Sequence, residues 1–373
     1  MAQVAVLHNT LDFQGGADAV CLATCEALLE RHEVTVVTIG KTHPEVLAER
    51  FGAKVDGLIT RRPPGNAVLA RALSKSTGII GPQMAARTLL VERYLRRFVD
   101  EFDLVVSTTN ELALPIPSVQ YVHFPQFHHQ SRRGSDAEPL NTLWTTLGGP
   151  QTDDFHDAQL LANSAWTASV FEEMYDLRPD VVHPPVQQIE GAPWAEREDG
   201  IVLLGRIAPD KNVLEAMTLI DALREKGFDL HLHIVGSTAR AYDAYVERVE
   251  KASTKRAYVH FERNVPRDRI EELLGSHRYG VNLKRREHFG MSVAEYVSAG
   301  MIAFAPDSGG QREVLDYRSD RLFGDLDGAV ETISEAIEIG ARPSLPQDRF
   351  RPDRFKSTLN DYVTHSLRKI DGQ

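Results

Sequence analysis

Cysteine, positive charge and long apolar runs are all scarce in this 373-residue chain. The two cysteines, Cys21 and Cys25, stand four apart on a predicted helix without the further Cys or His neighbours that zinc requires, so they read as small buried thiols. Forty-two Lys and Arg against 53 Asp and Glu leave a formal charge of -11, which argues against a nucleic-acid partner because phosphate neutralisation needs basic surface. Met1-Ala2-Gln3 leads straight into Val4-Ala5-Val6-Leu7, too short for a secretory segment or a membrane span. The expected location is cytoplasmic, extending to the cytoplasmic face of a membrane. There is no short-period repeat and no low-complexity tract. A Gly-x-Gly-x-x-Gly dinucleotide fingerprint is also missing from the first strand-to-helix turn, Asp12-Phe13-Gln14-Gly15-Gly16-Ala17.

What is present is alternation. Short apolar runs (Val4–Leu7, Val34–Ile39, Leu104–Ser107, Val119–Val122, Leu160–Ala162) are separated by amphipathic stretches such as Ala17–Leu29. Such alternation predicts an α/β fold with mainly parallel sheets covered by helices. A second series follows: Ile201–Leu204, Leu230–Val235, Tyr258–Phe261, Gly280–Leu283 and Ile302–Ala305. Between the two lies a Pro- and Gly-rich stretch from His183-Pro184-Pro185 to Gly200, the expected linker. The expected division is a first domain over 1–185, a second over 186–353 and a terminal helix over 354–373. Phe355, Leu359, Tyr362, Val363 and Leu367 give that helix an apolar face, which would cap the second domain or return to the first.

The chemistry concentrates in the second half. In Glu287-His288-Phe289-Gly290-Met291-Ser292-Val293-Ala294-Glu295, two carboxylates bracket a glycine turn and a helix start. The helix start offers unpaired N–H groups to an anion, and Glu295 suits a vicinal diol such as ribose. Gly205-Arg206 ends a strand and Lys211-Asn212 opens the next helix, so both cations fall at the carboxyl edge where open α/β sheets bind ligands. Together these features could hold a diphosphate with no metal ion. In the first half, Gly15-Gly16 either admits a ligand to the backbone or simply makes a tight turn. His123 ends the strand of Tyr121-Val122-His123-Phe124-Pro125. His128, His129 and His156 lie near it in sequence but lack partnered Asp or Glu at metal-ligand spacing, so no metal is expected there. Between positions 61 and 98, Arg61, Arg62, Arg71, Lys75, Arg87, Arg93, Arg96 and Arg97 face the single acid Glu92, interleaved with Leu89, Leu90, Tyr94 and Leu95. The run suits a solvated amphipathic helix or peripheral contact with an anionic membrane or lipid phosphate.

Gly205-Arg206 with Lys211-Asn212, Glu287 and Glu295 with seven residues between, Ser308-Gly309-Gly310 and Glu313 resemble the C-terminal half of the retaining family 4 glycosyltransferases. Glu-His-Phe-Gly, Tyr-Val-His-Phe-Pro, Ala162-Asn163-Ser164 and Val182-His183-Pro184-Pro185-Val186 are similar to the branch containing the α-1,2-mannosyltransferase of lipid-linked oligosaccharides. The resemblance implies a GT-B fold, two Rossmann-like domains facing across a cleft, with the last helix crossing back to the first. It implies metal-independent hexose transfer, with retention, from a nucleotide-diphosphate sugar such as GDP-mannose or a UDP-sugar to a glycan or lipid-linked acceptor. Arg206 and Lys211 would hold the diphosphate, Glu287 the sugar hydroxyls, the backbone of Phe289, Gly290 and Met291 sugar and phosphate, and Glu295 the ribose. Gly15 and Gly16 would lie beside the phosphates and His123 beside the transferred sugar. Where many relatives have glycine after the strand framing the base pocket, this chain has Glu262-Arg263-Asn264, which leaves base preference open. A nucleotide-sugar 2-epimerase on the same fold and a non-catalytic nucleotide-sugar-binding subunit are the alternatives.

Overall fold

The computed structural model describes residues 1–81, 83–127 and 140–371, and the chain divides into two compact units. The first comprises Met1–Pro185 with Pro352–Gln373, the second Val186–Arg351. Seven parallel strands build the first sheet: β1 (Gln3–Leu7), β2 (Glu33–Val37), β3 (Ile59–Arg61), β4 (Leu104–Ser107), β5 (Ser118–Val122), β6 (Ala158–Ala162) and β7 (Asp180–Val181), in the order β3-β2-β1-β4-β5-β6-β7. Six more build the second: β8 (Glu198–Leu204), β9 (His231–Gly236), β10 (Val259–Arg263), β11 (His277–Val281), β12 (Ile302–Pro306) and β13 (Leu322–Phe323), in the order β10-β9-β8-β11-β12-β13. Each order runs outward from its first strand, then resumes on the other side. That reversal opens a crevice at the carboxyl ends of the two central strands, β1/β4 and β8/β11.

Burial on both faces explains why these strands read as near-continuous apolar runs. In β1, Val4 and Val6 join one core with Val20, Leu28 and Val36, while Ala5 and Leu7 join another with Val37, Leu95 and Val105. In β8, Ile201 and Leu203 pack with Val213, Ile220 and Leu232, whereas Val202 packs with Val293, Tyr296 and Ala303. Alternate residues face opposite sides, so one strand serves two layers of helices. The edge strands β3, β7 and β13 have three, two and two residues, too short to show a period. β11 begins at His277, earlier than its apolar run suggests, because polar His277 and Arg278 mask the start. Residues 282–287 follow β11 and form the crevice wall.

The terminal helix, Pro352–Asp371, belongs to the first unit, the second of the two dispositions its apolar face allows. Phe355, Leu359 and Val363 enter the core formed by Val4, Val6, Cys21, Leu28 and Tyr121. Phe355 meets the Tyr121 ring edge-on at 5.9 Å, and Lys356 Nζ pairs with Glu26 Oε2 at 2.7 Å. Among the described residues no helix is long and apolar enough to cross a membrane.

Leu359 is 1% exposed, so Leu359→Ala should cost about 2–5 kcal/mol of first-unit stability through lost burial and a cavity. Urea unfolding followed by hydrogen exchange would read the loss in residues 1–185, with the second unit's protection unchanged.

Candidate functional site

The crevice of the second sheet is built from the exits of β8 and β11. Tyr296, fully buried, ties them: its hydroxyl accepts from the Leu204 N–H at 2.6 Å and donates to the Val281 carbonyl at 3.3 Å. Gly236 at the end of β9 lets the β8 exit pass close, because a Cβ there would sit 1.6 Å from the Gly205 carbonyl oxygen. A short turn, Pro209–Lys211, then leads into the helix Val213–Glu225, anchored where Asn212 Nδ2 donates to the Leu283 carbonyl at 3.0 Å. The turn and the β11 exit therefore lie side by side.

Five charged side chains meet there. Lys211 Nζ pairs with Glu287 Oε2. Lys284 Nζ lies 3.3 Å from Asp210 Oδ2 and 4.0 Å from Glu287 Oε1, and Arg206 Nη2 lies 3.7 Å from Asp210 Oδ2. Arg206 is the outermost of the three cations, its guanidinium 5.7 Å from the Tyr242 ring centre. Burial alone would raise the Glu287 pKa, but Lys211, Lys284 and His288 outweigh it and bring it down to about 2. Glu287 is thus an anion at any physiological pH. Sequence reading found Arg206, Lys211 and Glu287 but missed Lys284 and Asp210. Lys284 stands three residues before Glu287, and that proximity was the available signal.

The backbone under Glu287 is held by a second loop. Glu287 bridges to Gly309 in parallel fashion, Gly310 N–H donates to the Glu287 carbonyl at 2.8 Å, and Arg286 N–H donates to Ser308 Oγ at 3.0 Å. Gly309 has φ +76°, and a Cβ on it would stand 2.3 Å from the Glu287 carbonyl oxygen, so glycine is required twice over. Behind it, fully buried Gln311 donates through Nε2 to the carbonyls of Lys284, Pro306 and Ser308 at 3.0–3.1 Å and accepts from Asn282 at 2.9 Å. This amide fastens both walls of the crevice to each other. Ser308-Gly309-Gly310 thus acts through the carboxylate it supports.

Gly290, with φ +106°, precedes the helix Met291–Ser298, whose first turn has no side-chain cap. Its leading N–H groups have no intrahelical acceptor, the arrangement that favours an anion. Phe289 turns its ring into the core against Phe350, 5.3 Å between centres, which leaves its backbone as the part able to face a ligand. Glu295 is paired with Arg267, which also holds Glu271 at 2.8 Å. Glu262 belongs to the sheet: it pairs with Arg269 at 2.8 Å and His233 at 2.7 Å. The following loop position is Asn264, which takes the left-handed conformation (φ +55°) that glycine otherwise supplies, and it accepts from the Thr238 N–H at 3.0 Å.

In the first unit, Gly15 precedes the helix Gly16–Leu29 and donates its N–H to Asp18 Oδ2 at 2.9 Å. Asp18 Oδ1 meets His8 Nε2 at 2.9 Å, and His8 Nδ1 lies 3.0 Å from Thr108 Oγ1, so a buried network ties this turn to the exits of β1 and β4. Gly15 has φ −110°, which any residue adopts, and among the described residues an added Cβ meets nothing within 4 Å. The fold therefore does not demand glycine at position 15. Farther along, Asn110 Oδ1 accepts from the N–H groups of His123 and Phe124 at 2.6 and 3.0 Å, while Asn163 Nδ2 donates to the His123 carbonyl at 3.0 Å. Ser164 caps the helix Ala165–Tyr175. Asn110 and Asn163 thus hold the backbone at His123 between them. Beside it, buried Glu111 has its pKa pushed by burial to about 7, against hydrogen bonds from the Phe127 and Gln126 N–H groups.

Several basic residues of the 61–98 run serve the fold. Arg61 pairs with Glu101 at 2.7 Å, Arg96 with Glu92, and buried Arg87 lies 5.4 Å from the Phe13 ring centre. Leu89 and Leu95 are core residues, leaving Arg71, Lys75, Arg93 and Arg97 with Leu90 on the surface. Of the histidines near His123 in sequence, His128 and His129 lie outside the described residues, and His156 is an exposed partner of Asp157.

Comparison with known proteins bears on this site. The family model described as glycosyl transferases group 1 matches residues 187–339, most of the second unit. The chain is similar to the GDP-Man:Man(3)GlcNAc(2)-PP-Dol alpha-1,2-mannosyltransferase of Dictyostelium discoideum, 25% identical over 239 residues, 55% of this chain and 46% of that protein. The Neurospora crassa protein of the same description is 29% identical over 225 residues, 50% and 39% of the two chains. The chain thus spans less than half the length of these relatives. Among solved structures it resembles Anabaena HepE in complex with UDP and glucose, with a TM-score of 0.68 at 14% identity over 98% of this chain and 100% of that one. That likeness establishes the fold as GT-B, and the family match and the mannosyltransferase relatives are consistent with the resemblance read from Gly205-Arg206 through Glu313.

An acid whose pKa folding depresses adds stability above its unfolded value and loses it as the pH falls toward the folded one. For Glu287 that window runs from the ordinary carboxylate range near pH 4.5 down to about 2. Glu287→Gln, which leaves Lys211 and Lys284 short of a counter-charge, should lose roughly 3 kcal/mol at neutral pH. In urea titrations the deficit should stay constant from pH 8 to 5 and narrow only below that.

Proposed function

We propose that this chain, whose second unit carries a glycosyl transferases group 1 domain, is a retaining glycosyltransferase. It would move a hexose from a nucleotide-diphosphate sugar to a glycan or lipid-linked acceptor. The observation that carries the reading is the charged cluster Arg206, Asp210, Lys211, Lys284 and Glu287 at the reversal point of the second sheet.

The donor diphosphate competes with Glu287 for Lys211 and Lys284. A doubly charged pyrophosphate is the stronger partner for two ammonium groups, so its arrival frees the carboxylate to accept hydrogen bonds from the sugar hydroxyls. Arg206, Lys211 and the leading N–H groups at Gly290 and Met291 stabilise the charge that grows on the leaving phosphate, and they supply this without a divalent ion. The acceptor then attacks from the face the nucleotide leaves, passing its proton to a phosphate oxygen, which preserves the anomeric configuration. Glu295 with Arg267 forms the ribose side. Gly15, Gly16 and His123 provide the first unit's substrate contacts, since Gly15 has no packing duty and side chains of Asn110 and Asn163 fix the His123 backbone.

GDP-mannose is the proposed donor, because the relatives that match this chain are described as GDP-Man alpha-1,2-mannosyltransferases. The exposed cations Arg71, Lys75, Arg93 and Arg97 suit an acceptor with a lipid-linked phosphate at a cytoplasmic membrane face.

Bound donor stabilises the native state by mass action, so in a thermal-shift panel of GDP-, UDP- and ADP-sugars GDP-mannose should give the largest rise. A larger rise with a UDP-sugar would replace the donor and leave the reaction class intact. Glu287→Ala should lower turnover on the order of a hundredfold or more. A covalent sugar adduct on Glu287 would make it a nucleophile, and conversion of the donor to its epimer without acceptor would overturn the transferase reading. Gly15→Ala should fold with unchanged unfolding midpoint and raise the donor KM.

A further inference from the structure

The second sheet has an opposite edge, at the amino ends of its strands, and three histidines that meet through their ring nitrogens gather on it. His231 and His233 begin β9 and, two residues apart, project to one face. His277 begins β11. In the sheet order β9-β8-β11, strand β8 separates these histidines, and the residue registered with His231 is Gly200. A Cβ on Gly200 would lie 2.4 Å from His231 Nε2 and 2.6 Å from His277 Cδ2. The missing side chain is the gap through which two imidazoles from non-adjacent strands meet, Nε2 to Nε2 at 2.9 Å.

We propose that His231, His233 and His277 form a zinc site at the amino edge of the second sheet, with Glu198 as fourth ligand. One ring nitrogen from each histidine falls within 4.8 Å of the others. Tetrahedral Zn–N bonds of about 2.0–2.1 Å set ligand nitrogens roughly 3.3 Å apart, so small ring rotations close the set on one ion. The supporting contacts are those that metal-bound imidazoles use. His277 Nδ1 lies 2.8 Å from the Leu273 carbonyl, and His233 Nδ1 lies 2.7 Å from Glu262, which Arg269 holds in turn at 2.8 and 3.1 Å. Each Nδ1 donates outward, which fixes the tautomer and turns the Nε2 lone pair toward the cluster. His231 Nε2 then faces the His277 lone pair, and the pair requires one proton or one cation between them.

Glu198 Oε2 lies 3.6 Å from His231 Nε2 and 4.0 Å from His277 Nε2, on an exposed side chain that can swing in and that marks the route of entry. Three imidazoles and a carboxylate are a zinc donor set. The seven-residue strand β8 puts the cluster about 20 Å from Arg206, Lys211 and Glu287, so the ion's role is to clasp β8, β9 and β11 together, apart from the transfer chemistry.

The test uses the full chain stripped with chelator and titrated with zinc chloride against a chromophoric competitor. One zinc per chain is expected, with a zinc-dependent rise in melting temperature. His231→Ala, His277→Gln and Glu198→Gln should each weaken binding tenfold or more. Cobalt in place of zinc should give the intense visible absorption of a tetrahedral site. His277 is deeply buried and its variant could misfold; half-buried His231 keeps the test open, with far-UV circular dichroism as the control. Absence of stoichiometric binding in the native chain, or undiminished binding in folded His231→Ala, overturns the proposal.

Discussion

Everything at the carboxyl edge of the second sheet depends on keeping one carboxylate ionised among buried groups. Glu287 stands where desolvation should neutralise it, and the approach of Lys211 and Lys284 from two different strand exits, with His288 beside it, prevents this. The remaining apparatus serves that approach. Tyr296 holds the exits of β8 and β11 in step, Gly309 admits the Glu287 backbone where a side chain would collide, and Gln311 fastens the two walls. A buried charge without partners is expensive, whereas one shared between two ammonium groups is poised to exchange them for another anion.

Much of this was legible in the sequence because parallel strands buried on both faces must be apolar along their whole length. The runs Val4–Leu7 and Ile201–Leu204 therefore announced the two central strands, and the residues after them could be assigned to the ligand edge. The terminal helix showed its apolar stripe but not its destination, since Phe355 and Leu359 would fit either unit. Lys284 and Asp210 escaped notice because a lysine near a strand end is ordinary until a carboxylate is brought beside it. Gln311 escaped because no local pattern distinguishes a buried amide bracing three carbonyls from a surface glutamine. The edge strands β3, β7 and β13 were too short to carry a period.

Two motifs acquire a physical content different from the one their position suggested. Asn163-Ser164 is a support: one side chain holds the His123 carbonyl and the other caps the next helix. In the segment Glu262-Arg263-Asn264, read as a departure from the family's pattern, Glu262 is committed to His233 and Arg269 within the sheet, and Asn264 takes the left-handed backbone. The departure is thus absorbed locally, in the same strand pair that carries the histidine cluster. Glu262 braces an imidazole of β9 on one side and holds Arg269 of the following helix on the other.

The return of the terminal helix divides the chain's two units by their history as well as their composition. The second unit is continuous, from Val186 to Arg351, and holds all its core residues within that span. The first lacks the side chains of Phe355, Leu359 and Val363 until residues 352–371 have been synthesised. On the ribosome the later-encoded unit is therefore the first able to complete itself, while the amino-terminal sheet waits with an apolar groove beside Tyr121 and Leu28 uncovered. A chain cut short just before Pro352 would contain every strand of both sheets and still present a chaperone with the surface of an unfinished protein.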